Sequence, residues 1–117
     1  MKKVLIIEDD RDTLELLGIL ASQSNYMAIL RSDVLPITEI EEINPDLVLL
    51  DHWLGSHLGG NLCRKIKENP ATQDIPIVMI SALLQIGTIA FENQADGCLT
   101  KPFNLEEIEG VFESYLA

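Results

Sequence analysis

Pro45-Asp46-Leu47-Val48-Leu49-Leu50-Asp51 runs from a proline turn through four consecutive aliphatic residues into a single carboxylate. An unbroken apolar run of this length, with no polar alternation, suits a strand of a parallel sheet buried on both faces. Similar bursts lie on either side of it: Val4 to Ile7, Met27 to Leu30, Ile77 to Ile80, and a weaker Cys98-Leu99. Stretches of helical period separate them, which gives five βα units. The expected fold is therefore α/β and doubly wound: an open parallel sheet between two layers of helices, three layers in all.

Caps and stripes place the helices. Asp12 with Glu15 three residues later resembles a capping arrangement, and Leu14, Leu17 and Ala21 follow on one face. Pro36 suits a first helical turn, Ile37, Ile40 and Ile43 form a short stripe, and Asn44-Pro45 ends it. A third helix carries Leu62 and Ile66 inward and Arg64, Lys65 and Lys67 outward, with Asn69-Pro70 to Ile75-Pro76 as its exit loop. Gly87 and Thr88 are poor helix formers, so the fourth helix is expected to be short. Asn104 caps the last helix with Glu107 at its third position, and Leu105, Ile108, Val111, Phe112, Tyr115 and Leu116 form its core stripe.

At 117 residues the chain matches one domain, 1–117, with one core and no second module. Apolar residues at 47% and charged residues at 23% describe a globular chain rather than a disordered or membrane one. No apolar run approaches the roughly 20 residues that span a bilayer, and Met1-Lys2-Lys3 leads into a strand without a cleavage site, so the cytoplasm is the expected address. Cys63 and Cys98 have no metal-binding spacing and are expected to be reduced and to serve packing. A net charge of -11 argues against direct binding of nucleic acid.

In an open parallel sheet, ligands bind beyond the carboxyl ends of the strands. The first burst ends in Glu8-Asp9-Asp10, the third in Asp51, the fourth in Ser81-Ala82 and the fifth in Thr100-Lys101-Pro102. Each has an ordinary reading: an acidic residue beginning a helix, a solvated turn, an exposed lysine. Complementary groups from four strand ends are not expected of solvated turns. Clustered carboxylates repel one another and suit a hard divalent cation, Mg2+ or Mn2+, which keeps waters that phosphate oxygens can replace. Asp51 would then be a nucleophile, with Lys101 and the Ser81 hydroxyl meeting a transferring phosphoryl group.

Val4-Leu5-Ile6-Ile7-Glu8-Asp9-Asp10, Pro45 to Asp51, Ile75-Pro76-Ile77-Val78-Met79-Ile80-Ser81-Ala82 and Leu99-Thr100-Lys101-Pro102-Phe103 together resemble the receiver domain of two-component response regulators, over essentially the whole chain. The resemblance implies the flavodoxin-like strand order 2-1-3-4-5. It implies that Asp51 is the phosphoacceptor, that Glu8, Asp9, Asp51 and the backbone carbonyl of Trp53 hold the metal, and that Ser81 and Lys101 contact the phosphoryl group. A cis bond is implied between Lys101 and Pro102. The phosphoryl group would come from a phosphohistidine of a sensor kinase or phosphotransfer protein. The output would be contact with a further protein rather than catalysis, through the fourth helix, fifth strand and fifth helix, as a monomer or weak homodimer.

The chain departs from that pattern at Gly55, where the family usually has proline; at Leu58, often aspartate; and at Cys98, normally a switching aromatic. The stretch from Ser81 to Lys101 is also about two residues short of the family's usual length. The loop Gly55 to Gly60 is expected to be more mobile for its glycines. Cys98 rules out aromatic switching. His52 and His57 are set aside as ligands, because imidazole prefers softer ions and alternation turns His52 away from Asp51. Trp53 and Leu83 flank the acceptor and the serine with apolar bulk, which predicts slow self-dephosphorylation. Two other readings compete. A phosphatase on a similar sheet needs an aspartate where Trp53 stands, and a phosphorylation-independent interaction module has no need of the five polar residues.

Overall fold

The computed structural model describes residues 1–55 and 57–117. The chain runs β1 (Lys3–Ile7), α1 (Arg11–Gln23), β2 (Met27–Arg31), α2 (Ile37–Ile43), β3 (Leu47–Asp51), a short pair β4 (Trp53–Leu54) and β5 (His57–Leu58), α3 (Gly59–Glu68), β6 (Ile77–Ser81), α4 (Ile86–Glu92), β7 (Gly97–Thr100) and α5 (Leu105–Leu116). Five strands form one parallel sheet in the order β2-β1-β3-β6-β7. Counting only those strands, this is the expected 2-1-3-4-5.

Alternation along the buried strands divides the core in two. Leu5, Ile7, Val48, Leu50, Ile77 and Met79 face one way, against Ile40 of α2, Leu62 and Ile66 of α3, and Ile86 and Ala90 of α4. Val4, Ile6, Leu47, Leu49, Val78 and Ile80 face the other, against Leu17 and Ala21 of α1 and Ile108, Phe112 and Leu116 of α5. Both faces of β1, β3 and β6 thus exclude water, which is why these strands read as unbroken aliphatic runs. β2 is an edge strand and leaves Met27 and Leu30 exposed.

Several local expectations need correction. The cap of α1 is Asp10, not Asp12: its carboxylate accepts the Thr13 N–H at 3.0 Å. Lys67 does not point outward but folds down to the Asp96 carboxylate at 2.7 Å and the Ile75 carbonyl at 2.7 Å. Leu105 leaves the core stripe of α5 and is exposed, and Cys98 lies exposed on β7 rather than packed. The capping box of Asn104 and Glu107 and the cis bond between Lys101 and Pro102 are present. α4 is a seven-residue helix, as short as expected.

The loop after the acceptor forms an antiparallel pair, Trp53 with Leu58 and Leu54 with His57. Gly55 turns that pair at φ 64, a conformation closed to the proline ring, whose φ is held near −65°. Leu58 stands at the cap of α3 and has no side-chain oxygen to give it. Ser56, within the stretch expected to be mobile, lies outside the described residues.

Candidate functional site

The parallel register brings the carboxyl ends of β1, β3, β6 and β7 to one edge, with Ile7 beside Leu50, Asp51 beside Ile80, and Ser81 beside Thr100. The residues following those positions converge on a cleft of about 440 Å3 lined by Asp9, Asp51, Trp53, Ser81, Ala82, Leu83 and Lys101.

The three acidic residues after β1 have separate tasks. Asp10 caps α1, and the Thr13 hydroxyl and N–H hold its carboxyl below the usual range. Asp9 is exposed at the cleft. Glu8 is buried at 1% exposure and pairs through Oε1 with the Lys101 ammonium, while its Oε2 is buried and, with the Glu8 and Asp51 carboxyls both ionised, meets no donor among the described residues. Asp51, 4% exposed, lies 3.8 Å from Lys101 Nζ and accepts the Trp53 N–H on Oδ1 at 3.3 Å. Ser81 is buried, and its Oγ accepts the Leu83 N–H at 3.1 Å.

Burial, then the hydrogen bond and the charge of Glu8, push the Asp51 carboxyl up to about 8, against weaker opposition from Lys101 and the Trp53 N–H. Burial by itself would lower Lys101, but the carboxylates of Glu8, Asp51 and Asp10 outweigh it and the ammonium is raised. Together these form a negative cluster that one lysine does not neutralise.

The donor set fits a hard divalent cation. Glu8, Asp9 and Asp51 each offer a carboxylate oxygen, all within 4.8 Å of one another. A buried carboxylate oxygen without a partner, such as Glu8 Oε2, carries a desolvation cost that a cation or its bound water would remove. The backbone N–H of Trp53 ties that residue to Asp51 beside this cluster.

The histidines stay outside. His52 is buried, its Nδ1 accepts the Gly60 N–H at 3.2 Å, and burial lowers its pKa. His57 pairs with Asp33 at 3.2 Å. Neither lines the cleft. One feature has no counterpart in the sequence reading: a second hollow of about 360 Å3, formed by Thr13, Leu16, Ala82, Lys101, Pro102 and Phe103, which shares Ala82 and Lys101 with the cleft. Leu16 was the available signal, an apolar residue off the α1 stripe.

Residues 4–113 match the family model described as the response regulator receiver domain. The chain is similar to the DNA-binding dual master transcriptional regulator RpaA of Synechocystis sp., 33% identical over 111 residues, covering 92% of this chain and 46% of that protein. It thus spans about half the length of the curated relatives it matches. Among solved structures, it resembles the receiver domain of NtrX from Brucella abortus, with a TM-score of 0.86, 27% identity and 97% of each chain covered. It shares its fold with the receiver domain of a sensor histidine kinase from Pseudomonas aeruginosa, described with a magnesium ion coordinated in its active-site cleft, at a TM-score of 0.87, 20% identity, and 97% and 96% coverage. Receiver domains are signalling domains rather than enzymes in the usual sense, they bind Mg2+ at an acidic pocket, and histidine kinases or phosphotransfer proteins phosphorylate them. With the family's model covering nearly the whole chain and the acidic cleft lying at the ends of its parallel strands, this protein belongs to the receiver domains of two-component response regulators.

Proposed function

We propose that Asp51 accepts a phosphoryl group from a phosphohistidine of a sensor kinase or phosphotransfer protein, in the presence of Mg2+, and that the modified domain signals by contact with a further protein. The observation that carries this reading is the pairing of a buried carboxylate, Asp51, with the Lys101 ammonium 3.8 Å away, beside two further carboxylates within 4.8 Å. Such an arrangement has little structural benefit, since a charge cluster held out of water costs stability unless a ligand compensates it.

Glu8, Asp9, Asp51 and the Trp53 carbonyl would hold the cation, which when bound supplies charge neutralisation between the carboxylates and the incoming phosphoryl oxygens. A carboxylate oxygen of Asp51 attacks phosphorus, the bond from phosphorus to the donor imidazole breaks, and the imidazole leaves neutral after taking up a proton. Lys101 lies where it can neutralise a phosphoryl oxygen, and Ser81 Oγ, held by the Leu83 N–H, can donate its hydroxyl proton to another. The hollow lined by Leu16 and Phe103 adjoins the cleft through Ala82 and Lys101 and suits the apolar face of a donor helix.

Incubation with acetyl phosphate and Mg2+, followed by intact mass, tests the reading. One added phosphoryl group is expected on the wild type and none on Asp51→Asn. An unmodified wild type would favour the interaction-only module instead.

A further inference from the structure

α4 is lightly held by the core. It buries two residues, Ile86 and Ala90, and has no side-chain cap at its N-terminus. Its C-terminal end is held from α3. Arg64 Nη2 donates to the Glu92 carbonyl at 2.7 Å and Arg64 Nε to Asn93 Oδ1 at 3.3 Å, while the Cys63 thiol donates to the Asn93 carbonyl at 3.3 Å. Asn93 Nδ2 folds back onto the Ile89 carbonyl at 2.8 Å.

The first turn of α3 is held in turn by the residue after the acceptor. The Gly59 N–H donates to the His52 carbonyl at 2.6 Å, and the Gly60 N–H to His52 Nδ1 at 3.2 Å. There is no slack in these contacts. A Cβ on Gly59 would meet the Asp51 carbonyl oxygen at 2.1 Å, and one on Gly60 would meet Asn93 Nδ2 at 2.7 Å and His52 Cε1 at 3.2 Å. The backbone at 51–52, the start of α3 and the C-terminal cap of α4 are thus in direct succession. On the other side of α4, β7 presents the small exposed side chain of Cys98.

We infer that Arg64 and Asn93 are positioning residues that couple the state of Asp51 to the placement of α4, with α3 as the rigid link. The inference rests on the phosphoacceptor reading. Loading the cleft changes the charge on Asp51 and the hydrogen bond that Trp53 donates to it, so a backbone shift at 51–52 would reach Gly59 and Gly60 through their bonds to His52. α3, anchored by buried Leu62, Cys63 and Ile66, moves as a unit, and α4 follows because its terminal carbonyls are bonded to α3.

Beryllofluoride with Mg2+ serves as the probe, on wild type, Arg64→Met, Asn93→Ala and the control Lys65→Met, an exposed neighbour outside the contact. Trp53 fluorescence reads loading of the cleft, and amide hydrogen exchange over residues 86–95 reads α4. In the wild type and Lys65→Met, loading is expected to change exchange over 86–95. In Arg64→Met and Asn93→Ala, loading persists while that difference falls by about half or more. A contact that only supports the fold would raise exchange equally with and without the probe, and would leave the difference intact; that result overturns the inference, as does a loaded wild type whose α4 exchange is unchanged. A wild type in which neither Trp53 nor Asp51 responds to the probe sinks the phosphoacceptor reading itself. Arg64→Lys, whose single nitrogen cannot reproduce the separate Nε and Nη2 contacts to Asn93 and Glu92, provides the same comparison if Arg64→Met does not fold.

Discussion

Replacing Asp51 with asparagine should stabilise the metal-free protein. The Asp51 carboxyl is pushed up to about 8 from an ordinary value of 3.8 by burial and by Glu8. A raised value means that the folded state holds a proton the unfolded chain gives up. The associated stability is present below the unfolded value and is lost as pH rises through the folded one, so wild-type stability falls between pH ~4 and ~8. At about 1.4 kcal/mol per pKa unit, the ceiling on that loss is near 6 kcal/mol at pH 8. Water and counter-ions at the cleft mouth screen Asp51 and Glu8, so about 2 kcal/mol is expected for Asp51→Asn, which for a domain of this size is roughly 6 to 10 °C in Tm. Thermal unfolding in chelating buffer across that pH range is the assay. The difference between wild type and Asp51→Asn should grow with pH in chelator and shrink in millimolar Mg2+. A Tm for Asp51→Asn equal to or below wild type at pH 8 in chelator would show that the cluster carries no repulsion, and the argument for a cation there would go with it.

The remaining predictions concern the same end of the molecule. Trp53 is the chain's single tryptophan, so its fluorescence reports on Mg2+ titration; Asp9→Asn should weaken that titration about tenfold or more, and an unchanged midpoint would remove Asp9 from the ligand set. Trp53 and Leu83 line the cleft and carry no side-chain hydrogen-bond acceptor that could orient an attacking water, so the phosphoryl label should be lost slowly at neutral pH, with Trp53→Asn speeding its loss about tenfold; a wild-type lifetime of seconds rules this out. Gly59→Ala should cost about 3 kcal/mol or prevent folding, because its Cβ would overlap the Asp51 carbonyl; near-wild-type melting would mean the start of α3 has slack, which also undermines the proposed link to α4.

What the sequence revealed depended on how strongly burial constrains each position. β1, β3 and β6 are covered on both faces, so almost any polar residue there would be costly, and their apolar runs and the chemistry at their ends were legible together. β2 and β7 lie at the sheet edges, where Met27, Leu30 and Cys98 face water and the pattern blurs. Asp10 and Asp12 are both plausible caps by type; the choice depends on where β1 releases the chain, and Thr13 then bonds Asp10 through both its N–H and hydroxyl. Lys67 looks solvent-facing on a helical wheel, but the carbonyls of Gln73 and Ile75 in the exit loop and the Asp96 carboxylate, distant in sequence, draw it inward. The β4–β5 pair depends on Gly55 reaching a positive φ, which composition alone does not announce.

The adaptable parts of the molecule gather at the carboxyl end of the sheet. The sheet stores stability in two dry cores, which leaves the strand ends free to carry an arrangement that is unfavourable alone: a Glu8 oxygen with no donor among the described residues, an Asp51 carboxyl whose ionisation burial and Glu8 oppose, and the compensating Lys101. Any ligand that relieves this cluster is linked to folding, since occupancy at a hundred times its dissociation constant contributes about 2.7 kcal/mol, comparable to the repulsion it removes. α4, which buries only two side chains, is the neighbouring element on which such a change in free energy can act without disturbing the core. α3, packed through Leu62, Cys63 and Ile66, would shift as one piece with little change inside it, which suits it to carry a displacement that the lightly held α4 shows.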